Sequence, residues 1–469
     1  MKRWRVRTAT SPLRGEVSVP GDKSIGHRAL IFAALAEGDC VVRGLSGGLD
    51  NLATADALRE MGVAIEREGS TARVGGVGLR GLRIPRGQLD CGNSGTTMRL
   101  LAGLLVAQRF GTRLVGDASL SRRPMKRLIE PLRARGGLIA GTVRLESQDL
   151  YAPLSVAPLL EHEHLIGLEH EMGVASAQVK TALLLSGLYA RGLTAIREPV
   201  LSRDHTERML RALGVPLERL GPMVVLDPSE WRGGWDPFEW EVPGDPSSAA
   251  FFLAAAHLVP KSEITVKSVC VNPTRTGFFD VLRAMGSTAY LLPQGDAAGD
   301  EPLADVLVER SVSLVGTRTG GELVTRMIDE VPAFAAMAAG ARGRTEIRDA
   351  EELRVKESDR IATMTLVLRA FGVACEELED GLRIEGGARL KAAHVQSGGD
   401  HRIAMSAAVL ALRAEGETIV DDVDCVDTSF PGFAATLRAL GADIVEEHVA
   451  ADVDSAPRSG VVGSAGGAS

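Results

Sequence analysis

The pattern Leu-Arg-x-x-Gly ends six amphipathic stretches of this 469-residue chain, at 58–62, 132–136, 210–214, 282–286, 368–372 and 437–441. One copy would be chance, because Leu, Arg and Gly are common. Six copies at intervals of roughly 70–85 residues are a repeat, and a repeat constrains the fold before any single element is assigned. Each Gly suits the position just past a helix, where a left-handed backbone costs no Cβ clash. Each Arg, one turn earlier, suits the negative end of the helix dipole.

A second helix type recurs with the first. Its six openings are GDKSIGHRAL, GNSGTTMRLL, ASAQVKTALL, GDPSSAAFFL, DEVPAFAAMA and GGDHRIAMSA. Behind each opening the sequence is apolar on nearly every side, so these helices are expected to be buried. β-like stretches separate the helices. Two read as hairpins, one turning at Gly69-Ser70 and one at Asp380-Gly381. One unit is therefore strands plus one buried and one amphipathic helix, and six units suggest two domains of three.

The buried helices open on unusual chemistry. A helix N-terminus offers free N–H groups and partial positive charge, hence a site for anions. Ser, Asp, Asn and Gly there are explained by capping alone. Capping does not call for Lys23 and Arg28, for Arg99, for Gln178, or for His401 and Arg402 beside the caps. If these ends converge, they form a site for something multiply anionic. The fifth unit differs: its helix opens on Asp329-Glu330, and the charged stretch 352–360 follows. That stretch reads either as a solvated charge run or as acid–base groups among cations.

Composition limits the partners. The net charge is −8, against nonspecific binding to nucleic acid or membrane, but a few cations focused in a cleft still attract a small anion. Five scattered cysteines with no Cys-x-x-Cys pair exclude a disulfide framework or zinc ribbon and fit a reducing cytoplasm. No secretory signal is visible at the basic start, and the apolar runs are too short and interrupted for a membrane span. No feature calls for a metal or an organic cofactor. Residues 448–469 are small and polar and are expected to form a disordered tail.

Four loops carry a resemblance. PGDKSIGHRAL at 20–30, GNSGTTMRLL at 92–101, LRVKESDR at 353–360 and DHRIAMS at 400–406 stand in the order found in the 5-enolpyruvylshikimate-3-phosphate synthase family of enolpyruvyl transferases. VASAQVKTALL and SRDHTERML resemble the branch reading SAQ. The likeness covers roughly residues 5–446. It implies an α/β (α+β) fold of two similar domains, each of three βαβαββ-type repeats with buried parallel helices, an inside-out barrel. One domain would be 1–19 plus 243–447, the other 20–242, crossing near residues 19–21 and 242–244.

The implied reaction joins phosphoenolpyruvate to shikimate 3-phosphate between the domains of a cytoplasmic monomer. Matching positions imply that Asp329 accepts a proton, Glu357 donates one and Lys23 assists. They assign phosphoenolpyruvate to Lys23, Gly95, Arg123, Gln178, Arg360 and Arg402. They assign shikimate 3-phosphate to Lys23, Ser24, Arg28, Ser176, Ala177, Gln178, Arg203, Asp329 and Lys356. Arg123 is preferred to its neighbour Arg122 by the resemblance. Glu357 is an awkward donor, because the cation beside it in sequence, Lys356, would lower its pKa unless burial or ligand charge raised it. Two positions stand out. Some members have a Lys just before the Thr-x-Phe-Pro stretch, whereas this chain reads Val426-Asp427-Thr428-Ser429-Phe430-Pro431. Gly95 matches members sensitive to glyphosate, and some tolerant ones carry Ala. Two other readings are an enolpyruvyl transferase acting on a UDP-amino sugar, which would need a Cys-bearing loop where this chain has Ser-Arg-Arg-Pro at 121–124, and a noncatalytic binder of phosphorylated metabolites.

Overall fold

The computed structural model describes residues 1–144, 147–309 and 312–448. Among them are thirteen α-helices: α1 (Lys23–Ala34), α2 (Leu49–Glu60), α3 (Gly95–Leu105), α4 (Lys126–Ala134), α5 (Ala177–Gly187), α6 (His205–Ala212), α7 (Pro246–Leu258), α8 (Gly277–Ala284), the single turn α9 (Glu322–Thr325), α10 (Val331–Ala339), α11 (Arg360–Ala370), α12 (His401–Ala411) and α13 (Phe433–Ala439). Six of them, α1, α3, α5, α7, α10 and α12, are the expected buried helices. All residues of α10 and α12 are buried, and all of α7 except His257. Five of the six are capped by a side chain that accepts from a first-turn N–H: Asp22, Ser94, Ser176, Asp245 and Asp400. Small residues let these helices approach closely. A Cβ on Gly103 of α3 would collide with the backbone of Ala182 in α5.

The six Leu-Arg-x-x-Gly glycines, Gly62, Gly136, Gly214, Gly286, Gly372 and Gly441, all have positive φ, as the cap requires. The arginine of the motif does more than face a dipole. In four copies it reaches six residues on and donates to a backbone carbonyl: Arg59 to Ile65 (2.9 Å), Arg133 to Ile139 (2.7 Å), Arg369 to Cys375 (3.2 Å) and Arg438 to Ile444 (2.6 Å). It thus clasps the segment that leaves the helix.

The described strands form six four-stranded sheets of one design. A lead strand runs parallel to the strand that follows the buried helix, and a two-stranded antiparallel ribbon completes the sheet. Leu89–Asp90, Thr112–Val115, Leu150–Val156 and Ile139–Val143 give one example in spatial order. The hairpin at Gly69-Ser70 forms as expected, with Glu68 opposite Thr71. The other expected turn is displaced. Leu378 pairs with Gly381, so the turn residues are Glu379 and Asp380. Gly381 lies in the strand, where a Cβ would strike the carbonyl of Ile347; the glycine serves a close backbone approach.

Two sheets exchange their lead strands. Arg14–Ser18, which precedes α1, pairs with Glu263–Cys270, which follows α7. Glu239–Glu241, which precedes α7, pairs with Asp39–Arg43, which follows α1. The last sheet borrows from the start of the chain: Lys2–Arg7 lies between Glu417–Asp421 and Ile444–His448. Buried apolar side chains form two clusters. One draws on residues from Trp4 to Val19 and from Ala249 to Ile444, the other on Ile25 to Val242 with Cys270. Of the expected tail, His448 ends a strand and 449–469 lie outside the described residues.

Candidate active site

In four repeats the buried helix connects two parallel strands of one sheet, and for α1 and α7 the exchanged lead strands keep the same parallel arrangement, so all six helices start at the same edge of their sheets. The consequence is geometric. Lys23 and Ser24 of α1, Gly95 and Thr96 of α3, Ala177 and Gln178 of α5, Asp245 and Ser247 of α7, Asp329 before α10 and Arg402 of α12 all line one cavity. Six helix N-termini therefore converge on it. Nine Lys and Arg side chains line it against six carboxylates, a local excess of positive charge on an acidic chain. Such a site draws small polyanions, and the low polarizability of its walls strengthens the attraction.

The ion pairs join the two core regions. Arg203 Nη2 lies 2.5 Å from Asp329 Oδ2, and Arg203 Nη1 donates to Ser24 Oγ at 3.4 Å. Lys356 Nζ and Arg360 Nη1 approach Asp329 Oδ1 at 3.7 and 3.2 Å, and Arg402 donates to the Asp329 carbonyl at 2.9 Å. Arg360 also grips Glu357 (2.5 Å) and Asp400 (2.8 Å). Arg123 approaches Glu357 at 3.7 Å and donates to Asn93 at 2.6 Å. Lys23 pairs with Asp50 at 2.8 Å. Gln178 is fixed at both ends of its amide, accepting from Arg99 (2.7 Å) and donating to Thr96 (2.8 Å).

Burial pushes the Asp329 carboxyl up, but Lys356, Arg203, Arg402 and Arg360 together hold it well below the usual range. Glu357 shows the same contest: burial raises it, and Arg360, Arg123 and Lys23 pull it well below. These cations favour the carboxylate form of both. Burial lowers the Lys356 ammonium, against the pull of Asp329 and Glu352.

The structure places the expected residues as follows. Lys23, Ser24, Arg28, Gly95, Arg123, Ala177, Gln178, Arg203, Asp329, Lys356, Glu357 and Arg402 line the cavity. Ser176 lines an adjoining hollow with Ala177, Gln178, Arg203, Asp329 and Lys356. Arg360 sits one layer behind, fully buried and aiming at both carboxylates. Arg28 lies deep, donating to Thr206, Thr181 and the Ser24 carbonyl, and burial brings its pKa down to about 10. Arg122 is exposed, whereas Arg123 is buried in the wall.

Three contributors escaped the sequence reading: Asp50, Arg127 and Arg275. Asp50 in the first turn of α2 and Arg127 in the first turn of α4 resemble ordinary helix-end residues. Arg127 forms a two-pronged pair with Glu352 at 2.6 and 3.2 Å, which no local spacing announces. Asp427, the open question at the missing lysine, faces away: it pairs with Lys2 at 2.8 Å on the surface.

A family model described as EPSP synthase (3-phosphoshikimate 1-carboxyvinyltransferase) matches residues 7–437. The 3-phosphoshikimate 1-carboxyvinyltransferase of Geobacter metallireducens is 50% identical over 442 residues, covering 94% of this chain and 100% of that one. Its namesake from Syntrophotalea carbinolica is 52% identical over 422 residues, covering 90% and 95%. A solved EPSP synthase from Acinetobacter baumannii superposes with a TM-score of 0.83 at 39% identity, over 96% of this chain and 100% of that one. With the six-repeat fold and the match running through nearly all of it, the chain belongs to the EPSP synthase (3-phosphoshikimate 1-carboxyvinyltransferase) family.

Proposed function

We propose that this enzyme transfers the enolpyruvyl group of phosphoenolpyruvate to the 5-hydroxyl of shikimate 3-phosphate and releases phosphate, on the route to chorismate and the aromatic amino acids. The observation that carries the reading is the cavity itself: six helix starts and nine cations surround a site that also holds the carboxylates Asp329 and Glu357. The substrates lie between domains 1–19 plus 243–447 and 20–242, a division supported by the two separate apolar clusters. Lys23, Gly95, Arg123, Gln178, Arg360 and Arg402 bind phosphoenolpyruvate. Lys23, Ser24, Arg28, Ser176, Ala177, Gln178, Arg203, Asp329 and Lys356 bind shikimate 3-phosphate. Arginines grip phosphate or carboxylate with paired donors, and Lys23 and Lys356 act as point charges.

Asp329 takes the proton of the 5-hydroxyl as its oxygen bonds to C2 of phosphoenolpyruvate. Glu357 delivers a proton to the methylene carbon, which becomes a methyl group. The tetrahedral intermediate then loses phosphate, which leaves with the proton held by Asp329, while Glu357, now a carboxylate, takes back a methyl proton and the double bond is restored. Glu357 must hold a proton to begin. The phosphate and carboxylate charges of the bound substrates supply the means: they compete for Arg360, Arg123 and Lys23, the cations that otherwise keep Glu357 ionised. The five cysteines are free thiols, which supports a reducing cytoplasm as the site of action, and the enzyme is taken to work as a monomer.

Phosphate release from phosphoenolpyruvate tests the proposal, with shikimate 3-phosphate, a UDP-amino sugar or no acceptor. Release that depends on shikimate 3-phosphate is expected. Release with the UDP-sugar alone, or binding of shikimate 3-phosphate without release, would overturn it.

A further inference from the structure

The turn Pro273–Arg275 is anchored by Asn272. Its side-chain oxygen accepts from the Thr274 N–H (2.8 Å) and hydroxyl (2.7 Å), and its amide donates to Asp204 (2.7 Å) and Glu301 (2.8 Å). From this fixed turn the Arg275 side chain, 2% exposed, reaches the cavity wall. Its Nη1 donates to Asp22 at 2.8 Å. Its Nη2 donates to Ser247 (2.9 Å), Glu330 (3.0 Å) and Asp245 (3.3 Å). Ser247 Oγ in turn donates to Glu330.

The partners are not arbitrary. Asp22 caps α1 and immediately precedes Lys23. Glu330 immediately follows Asp329. Asp245 caps α7. Asp22 and Asp245 also flank the place where the chain passes between the two cores: Gly21 and Gly244 form a bridge, Asp22 N–H donates to the Pro243 carbonyl (2.6 Å) and Asp245 N–H to that of Pro20 (2.9 Å). One rigid fork thus fixes three carboxylates that belong to helix starts of both cores. A single acid would suffice to neutralise a buried guanidinium; three arranged about its two ends define a geometry.

We propose that Arg275 is a positioning residue that sets the spacing between Lys23 and Asp329 for the chemical step. The inference rests on the function proposed above. Coulomb attraction of a phosphorylated substrate is long-ranged and tolerates a small displacement of Lys23. Proton transfer to Asp329 does not, since a shift of about 1 Å costs on the order of 100-fold in rate.

The test is steady-state kinetics on wild type, Arg275→Lys, Glu330→Gln and the double variant, each normalised to folded enzyme by denaturation. Lysine keeps the charge but lacks the fork. Arg275→Lys is expected to lower kcat about 10- to 100-fold while the KM of each substrate moves less than about threefold. Glu330→Gln is expected to act in the same direction, and the double variant to cost no more than about twofold beyond the worse single one, because both act through one junction. A kcat within twofold of wild type in Arg275→Lys, a rise in KM with kcat retained, or losses that multiply in the double variant would each overturn the inference. If Arg275→Lys does not fold, Glu330→Gln decides: an unchanged kcat there overturns it. Absence of phosphate release by wild type would instead sink the proposed function, so the two failures are separable.

Discussion

Residues at the cavity differ in how much of their role their own neighbourhood reveals. Glu357 is held ionised by Arg360 and Arg123, yet the proposed reaction asks it for a proton. Glu357→Gln cannot cycle a proton but keeps the size and a hydrogen-bonding amide, so turnover should fall by roughly 100-fold or more while calorimetric binding of shikimate 3-phosphate persists. Near-normal turnover would remove Glu357 from the donor role. Gly95 is a steric case. A Cβ there would lie 2.8 Å from Arg99 Nη1 and 3.2 Å from Arg123 Nη1, so both guanidiniums must give way. Gly95→Ala should therefore raise the KM for phosphoenolpyruvate several-fold and weaken inhibition by glyphosate; the wild type should be inhibited. An inhibition curve that is the same for both proteins would contradict this. Lys23, Gln178 and Arg402 were legible in the sequence because they stand beside helix caps that do not need them. Asp50, Arg127 and Arg275 were not, because their partners lie far away in the chain and each alone resembles a helix-end or surface residue.

Elements were legible where a local rule decides them. The six positive-φ glycines and the five side-chain caps follow from backbone geometry that only certain residues satisfy. The Asp380-Gly381 turn misled because Asp-Gly is a strong turn signal, while the nearby Ile347 carbonyl demands a glycine for a different reason. The arginine clasp was also hidden, since its acceptor is a carbonyl with no side-chain signature. It can be weighed within one molecule. Arg438→Ala removes two part-buried bonds to the Ile444 carbonyl and should destabilise by about 1 kcal/mol. Arg283, in the same motif position, is largely exposed and pairs with Asp280 at 3.0 Å. Arg283→Ala should change stability by about 0.5 kcal/mol or less. Denaturant midpoints measure both, and equal losses would refute the clasp.

Two buried histidines at the starts of cavity-lining helices, one in each core, are held neutral. His27 of α1 and His401 of α12 are pushed well below the usual imidazole range by burial, with Lys23 adding to both, Arg28 to His27 and Arg402 to His401. Below about pH 6.5 the unfolded chain binds two protons there that the folded chain does not, so stability falls as pH drops through that value. Each histidine contributes a slope of about 1.4 kcal/mol per pH unit until its folded form protonates. Urea unfolding at pH 7.5 and 5.5 should show the loss, and a flat profile would contradict it. No helix among the described residues is long and apolar enough to cross a membrane.

The strand Lys2–Arg7 is made long before its neighbours. Its partners are Glu417–Asp421 and Ile444–His448, so on a ribosome it must wait until those distant segments have been read. The stretch from α1 to Glu241 needs no such delay, because its exchanged lead strand, Glu239–Glu241, is its own last piece. Synthesis therefore delivers one half with its sheets complete while the strand Lys2–Arg7 still has no partner. That interval, before residue 448 emerges, is when the nascent chain is most exposed to mispairing with a neighbour.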